Sequence, residues 1–251
     1  MQNLDDVHLT ALRDAYSQMM AITDNRGYAY LAGLHGVPGH FCWHYQDNDR
    51  TALKKELFLP WHRAYLYVFE MAARDRVADV TLPWWDWTLR PPRQNGIPKA
   101  FSDTTVHGKT NPLASFRINV PGVQPHNTRR DPRPVNALPT QARVDDVLKR
   151  TDWYDFSDNL EDVHDGVHGW VGGDMGIVNV AAYDPIFWSH HCMVDRVWWL
   201  WQARNGNGNI PPDLLDFVLA PFNMTVRDVI NVNDLGYDYA AAQTVVAMGG
   251  S

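Results

Sequence analysis

The stretch LEDVHDGVHGWVGG, residues 160–173, places His164 and His168 four residues apart. On a helix that spacing stacks both imidazoles on one face. Such a pair is half of a metal site, and other parts of the chain must supply the remaining ligands. The bland alternative for any single histidine on an apolar stripe is a hydrogen-bonded core residue.

Working outward, the pattern over 185–204 puts Phe187, His191, Val194, Trp198 and Trp201 on one stripe. Over 61–78, His62, Leu66, Phe69 and Ala73 do the same. The neighbours His190 and His191 point two ways on a helix, so at most one faces a shared centre. A further helix is expected over 7–22, from Leu9, Leu12, Ala15, Tyr16, Met19 and Met20. Between them lie a Gly/His-rich turn region, GLHGVPGHFCWH (33–44), and a polar stretch, YQDNDRTALKKE (45–56). Residues 91–139 hold nine of the sixteen prolines and read as a long, irregular but packed excursion. A short helix is expected at 140–150. Beyond 205 come turns, a short helix near 225–231 and a terminal strand. The expected architecture is mainly α: one domain over 1–251, a four-helix bundle with a metal site in its core, long irregular loops and few short strands.

The bulk numbers are compatible with this. The 251 residues carry 22 basic and 29 acidic side chains, a net −7 that argues against a nucleic-acid surface. No apolar run is long enough for a membrane span. The first residues, MQNLDDVHLTALRDAY, have neither a basic start nor an apolar core, so no signal peptide is visible. The expectation is a soluble cytoplasmic protein or one exported through a partner. Two cysteines, Cys42 and Cys192, are too few for a disulfide framework. Eleven histidines are the informative excess.

The ligand set is dominated by imidazole. Carboxylate-bridged di-iron bundles repeat a Glu-x-x-His element, and here Glu161 precedes His164 in that way only once. Imidazole suits copper, zinc and nickel. More than four histidines in one core exceed what a single tetrahedral zinc needs, which implies two metal ions.

Three ordered stretches, FLPWHRAYLYVFE (58–70), VHDGVHGWVGGDMG (163–176) and YDPIFWSHHCMVDRVWWLWQ (183–202), resemble the copper-binding signatures of the tyrosinase family. This is the type-3 dicopper group that includes catechol oxidases and molluscan haemocyanins. GYDY at 236–239 resembles the Tyr-x-Tyr motif that closes the family's catalytic domain. The resemblance implies two copper ions with three histidines each. His164, His168 and His191 would hold the second, because the motif from Asp184 to Asp195 selects His191 and leaves His190 a structural neighbour. His62 would be the third ligand of the first copper. The family's usual second-ligand position falls on Leu53, which cannot bind, so His44 takes that role by its Cys-x-His context. His35 is then the first ligand, with His40 as its rival. A thioether between Cys42 and His44 is implied, with a free buried cysteine as the alternative.

The implied chemistry is dioxygen bound as a bridging peroxide, oxidation of catechols to o-quinones, and ortho-hydroxylation of monophenols such as tyrosine. The partners would be dioxygen, a small phenol and a copper-delivering caddie protein. Asp165 departs from the asparagine that often follows the fourth ligand. With Glu161 it is the candidate for proton handling. Gly176 and Val178 fall where some relatives place a bulky aromatic and suggest an open substrate pocket. Asp195 is expected either behind a ligand histidine or paired with Arg196. The competing readings are a catechol or o-aminophenol oxidase without hydroxylase activity, and a haemocyanin-like oxygen carrier.

Overall fold

A computed structural model describes residues 6–42, 57–93 and 95–240. Among these residues the chain forms eight α-helices and two tiny two-stranded ribbons. The helices are α1 (Asp6–Met20), α2 (Tyr28–His35), α3 (Phe58–Arg74), α4 (Lys99–Ser102), α5 (Gln141–Val147), α6 (Trp153–Val171), α7 (Ile186–Asn205) and α8 (Val226–Val229). The ribbons, β1 (Thr105–Val106) with β2 (Lys109–Thr110) and β3 (Arg117–Ile118) with β4 (His126–Asn127), lie in the proline-rich excursion. That excursion is packed as expected: Phe101, Leu113, Ile118 and Leu138 are buried in the common core.

Local chemistry sets the long helices. The Asp152 side chain caps α6 by accepting from Asp155 N–H, and the helix stops at Gly172, whose positive φ a side chain would resist. Pro185 precedes α7, and Gly206 ends it in the same left-handed way. Pro60 is tolerated in the first turn of α3, where its missing N–H has no helical partner to lose. α7 is buried on every side from Ile186 to Trp198, so it is the axis of the bundle rather than an amphipathic wall. Trp188 stacks on Phe69 of α3, with centroids 3.5 Å apart, and joins the two helices.

Two expectations need correction. Residues 33–35, expected in the turn region 33–44, belong to helix α2 (Tyr28–His35). It is short and apolar on nearly every side, so it shows no helical periodicity; burial against the bundle holds it. Asp195 does not pair with Arg196. Its carboxylate accepts from Arg63 Nε at 2.6 Å and from the Tyr237 and Tyr239 hydroxyls at 2.8 and 2.7 Å. Arg196 instead donates to the Ala240 carbonyl. The Arg63 guanidinium also lies over the Trp198 ring and donates to the Val229 and Ile230 carbonyls. This buried ion pair ties α3 and α7 to the chain beyond α8.

Candidate metal centre

Four elements deliver histidines to the middle of the bundle. His164 and His168 come from α6, His190 and His191 from α7, His62 from α3 and His35 from the end of α2. They form two groups. His164, His168, His190 and His191 bring ligand atoms within 4.8 Å of one another, as do His35, Cys42 and His62. The groups abut: the His62 and His191 rings stack with centroids 4.4 Å apart and planes 11° apart.

The hydrogen bonds fix which nitrogens are available. His168 Nδ1 lies 2.7 Å from the Met175 carbonyl, His62 Nδ1 lies 2.8 Å from the Phe58 carbonyl, and His35 Nδ1 lies 3.2 Å from the Val178 carbonyl. A carbonyl only accepts, so each Nδ1 carries the proton and each Nε2 keeps its lone pair. His164 Nδ1 lies 3.0 Å from the Asp165 carboxylate, with the same consequence. The freed Nε2 atoms turn inward. His164 Nε2 and His168 Nε2 lie 3.2 and 3.4 Å from His191 Nε2. One proton on His191 Nε2 can satisfy only one of these lone pairs, whereas a cation between the three satisfies all of them. The donor set therefore fits a metal with a taste for neutral imidazole.

Burial disfavours the charged form of the two α7 histidines. It pushes His191 well below the ordinary histidine value, reinforced by His62, His164, His190 and His168. His190 is lowered in the same way, by burial first and then by His168 and His164. Its ring lies parallel to that of His164 at 5.1 Å. Sequence reasoning set His190 apart as a neighbour, and the fold places it against both α6 histidines.

The other expected residues fall as follows. Cys42 is buried, with Sγ 3.7 Å from His62 Nε2. His44 and its link to Cys42 lie outside the described residues. His40 is exposed, with a left-handed φ of 56°, and is not in the group that contains His35. Asp165 is 64% exposed at its side chain and reaches the site through His164 Nδ1. Glu161 is half-buried on α6, one turn before His164. Gly176 and Val178 are exposed, and a Cβ added at Gly176 would meet nothing closer than the His168 carbonyl at 3.8 Å. Ile177 is exposed beside them, an apolar lip on the same loop.

Two adjoining groups of inward-facing imidazoles in a helical bundle offer the donor set of a dinuclear metal centre. Residues 25–204 match the family model described as the common central domain of tyrosinase, and the chain belongs to that family. It is 33% identical over 217 residues to a tyrosinase of Streptomyces glaucescens, covering 71% of this chain and 76% of that protein. It is 30% identical over 246 residues to hemocyanin 1 of Megathura crenulata, covering 90% of this chain and 7% of that one. Among solved structures, a functional unit of octopus hemocyanin superposes with a TM-score of 0.77 at 27% identity, covering 94% of this chain and 65% of that one. The tyrosinase of Burkholderia thailandensis superposes with a TM-score of 0.78 at 24% identity, covering 94% and 70%, a likeness of fold. Membership supports a type-3 copper protein with a dicopper centre. Among the described residues no helix is long and apolar enough to cross a membrane.

Proposed function

We propose that this chain is a dicopper phenol oxidase that oxidises catechols to o-quinones and hydroxylates monophenols. The observation that carries the reading is the convergence of the two imidazole groups with their lone pairs turned inward beside an exposed loop of small and aliphatic residues. His35 and His62, with His44 from outside the described residues, would hold one copper; His164, His168 and His191 would hold the other. Copper held there would supply the redox chemistry that dioxygen reduction needs.

The chain's own residues do the rest. The Phe58, Met175 and Val178 carbonyls and the Asp165 carboxylate keep each Nδ1 protonated and each ring aimed. Buried aromatic rings, Phe58 against His62 and His164 and Phe187 against His35 and His191, exclude water from behind the ligands. Gly176, Ile177 and Val178 leave room for a flat aromatic substrate at the front. Asp165 is assigned the phenolic proton: one oxygen holds His164 Nδ1–H, and the exposed remainder of the carboxylate can accept from a phenol hydroxyl. Glu161 is the second candidate for this role.

The likeness to hemocyanins favours a second reading in which the centre carries oxygen without turning over phenols. A tyrosine, L-DOPA and o-aminophenol oxidation assay on copper-loaded protein separates the readings. Quinone formation from L-DOPA with slower formation from tyrosine is expected. Reversible oxygen binding without turnover overturns the enzyme reading, and turnover of o-aminophenol alone narrows it to an aminophenol oxidase.

A further inference from the structure

The segment from Gly173 to Tyr183 has little structure of its own beyond two single 3-10 turns. Yet it supplies an acceptor to each imidazole group, the Met175 carbonyl to His168 at 2.7 Å and the Val178 carbonyl to His35 at 3.2 Å. Where the segment sits therefore sets the direction of one ring in each half of the centre. Its downstream end is pinned by Val37 N–H donating to the Asn179 carbonyl at 3.0 Å.

Its upstream end is pinned by Asp174, a buried carboxylate that the proposed chemistry does not use. Asp174 accepts from Arg129 N–H at 2.7 Å and from His126 Nε2 at 2.8 Å. Its own N–H donates to the Arg129 carbonyl at 2.9 Å. The chains meet too closely for side chains: Gly173 has φ +54, and a Cβ there would lie 2.1 Å from the Arg129 carbonyl oxygen. His126 Nδ1 faces the Gln124 carbonyl at 2.7 Å, so both ring nitrogens face acceptors, which raises the ring above the ordinary histidine value.

We propose that Asp174 is a positioning residue for the dicopper centre. With His126 and the Arg129 backbone it clamps the segment so that the Met175 and Val178 carbonyls aim His168 and His35. The inference rests on the dicopper reading above.

The test is copper release to an excess of chelator from copper-loaded wild type, Asp174→Ala, Asp174→Asn and His126→Ala. Each is held well below the melting temperature of its own copper-free form, and metal is counted per chain. Loss of an outer partner typically weakens metal binding 10–100-fold. Asp174→Ala is expected to release copper about 10-fold faster or more, and His126→Ala a few-fold faster. Asp174→Asn should fall between wild type and alanine, because its amide oxygen still accepts from Arg129 N–H. If the variants melt lower but release copper at the wild-type rate, the clamp is merely structural and the proposal fails. If Asp174→Ala does not fold, the asparagine and His126 variants decide in the same way. A wild type that binds fewer than two ions overturns the dicopper reading itself, and the clamp's role with it. Two ions with unchanged release overturns the clamp alone.

Discussion

The two halves of the proposed metal centre are built differently. The second half takes His164 and His168 from consecutive turns of α6 and His191 from the bundle's axis, α7. The first half takes His62 from α3, His35 from the last residue of the short helix α2, and Cys42 from the loop that follows. One half is held by helical geometry over 19 and 20 residues; the other depends on tertiary packing to bring a short element into place. The difference predicts that the halves fail differently. Damage to the second should remove its own metal ion with the fold intact, and damage around the first should loosen fold and metal together.

The largest effect should come from His168→Ala. It removes one of three converging Nε2 atoms from a rigid pair of helices. Oxidase activity should drop by at least about 100-fold, beyond the usual cost of losing an outer partner, with little change in the copper-free melt. His35→Ala should also abolish activity, while His40→Ala should keep it, which assays of the two variants compare directly. Retained activity in His35→Ala would move the ligand assignment to His40.

Next in size is the buried pair behind both halves. Arg63 follows His62, and Asp195 lies one turn after His191. Asp195→Ala leaves the Arg63 guanidinium buried without its anion and should cost about 3–5 kcal/mol in denaturant unfolding. Tyr239→Phe removes one hydrogen bond to the same carboxylate and should cost about 1.5–3 kcal/mol.

The smallest effect concerns pH. His126 is raised above the ordinary value of 6.5, first by the Gln124 carbonyl and then by Asp174, with Arg129 opposing. A raised folded value stabilises below the unfolded value and is lost as pH rises through the folded one. Melting temperature should therefore decline slightly as pH rises from about 6.5, the unfolded histidine value, and His126→Gln should flatten that slope. An unchanged slope in the variant would remove the ion pair from the account.

Legibility in the sequence follows the same division. His164 and His168 were readable because a helix converts a spacing of four into one face, and His191 and His62 because each lies on an apolar stripe. The bundle follows from those stripes. His35 was placed only by resemblance, because α2 is apolar all round and has no period to read. The partner of Asp195 was missed because Arg63 is 132 residues away, while Arg196 is adjacent. Asp174 carries no signal either: its partners, the His126 ring and the Arg129 backbone, lie 48 and 45 residues away, and a backbone partner leaves no mark in residue type.

Two copper ions held by the two imidazole groups would share one wall, the stacked His62 and His191 rings. Metal analysis of reconstituted wild type beside His168→Ala tests this most directly. Two copper ions per chain are expected in the wild type and one in the variant. One ion in the wild type, or two retained in the variant, would contradict it.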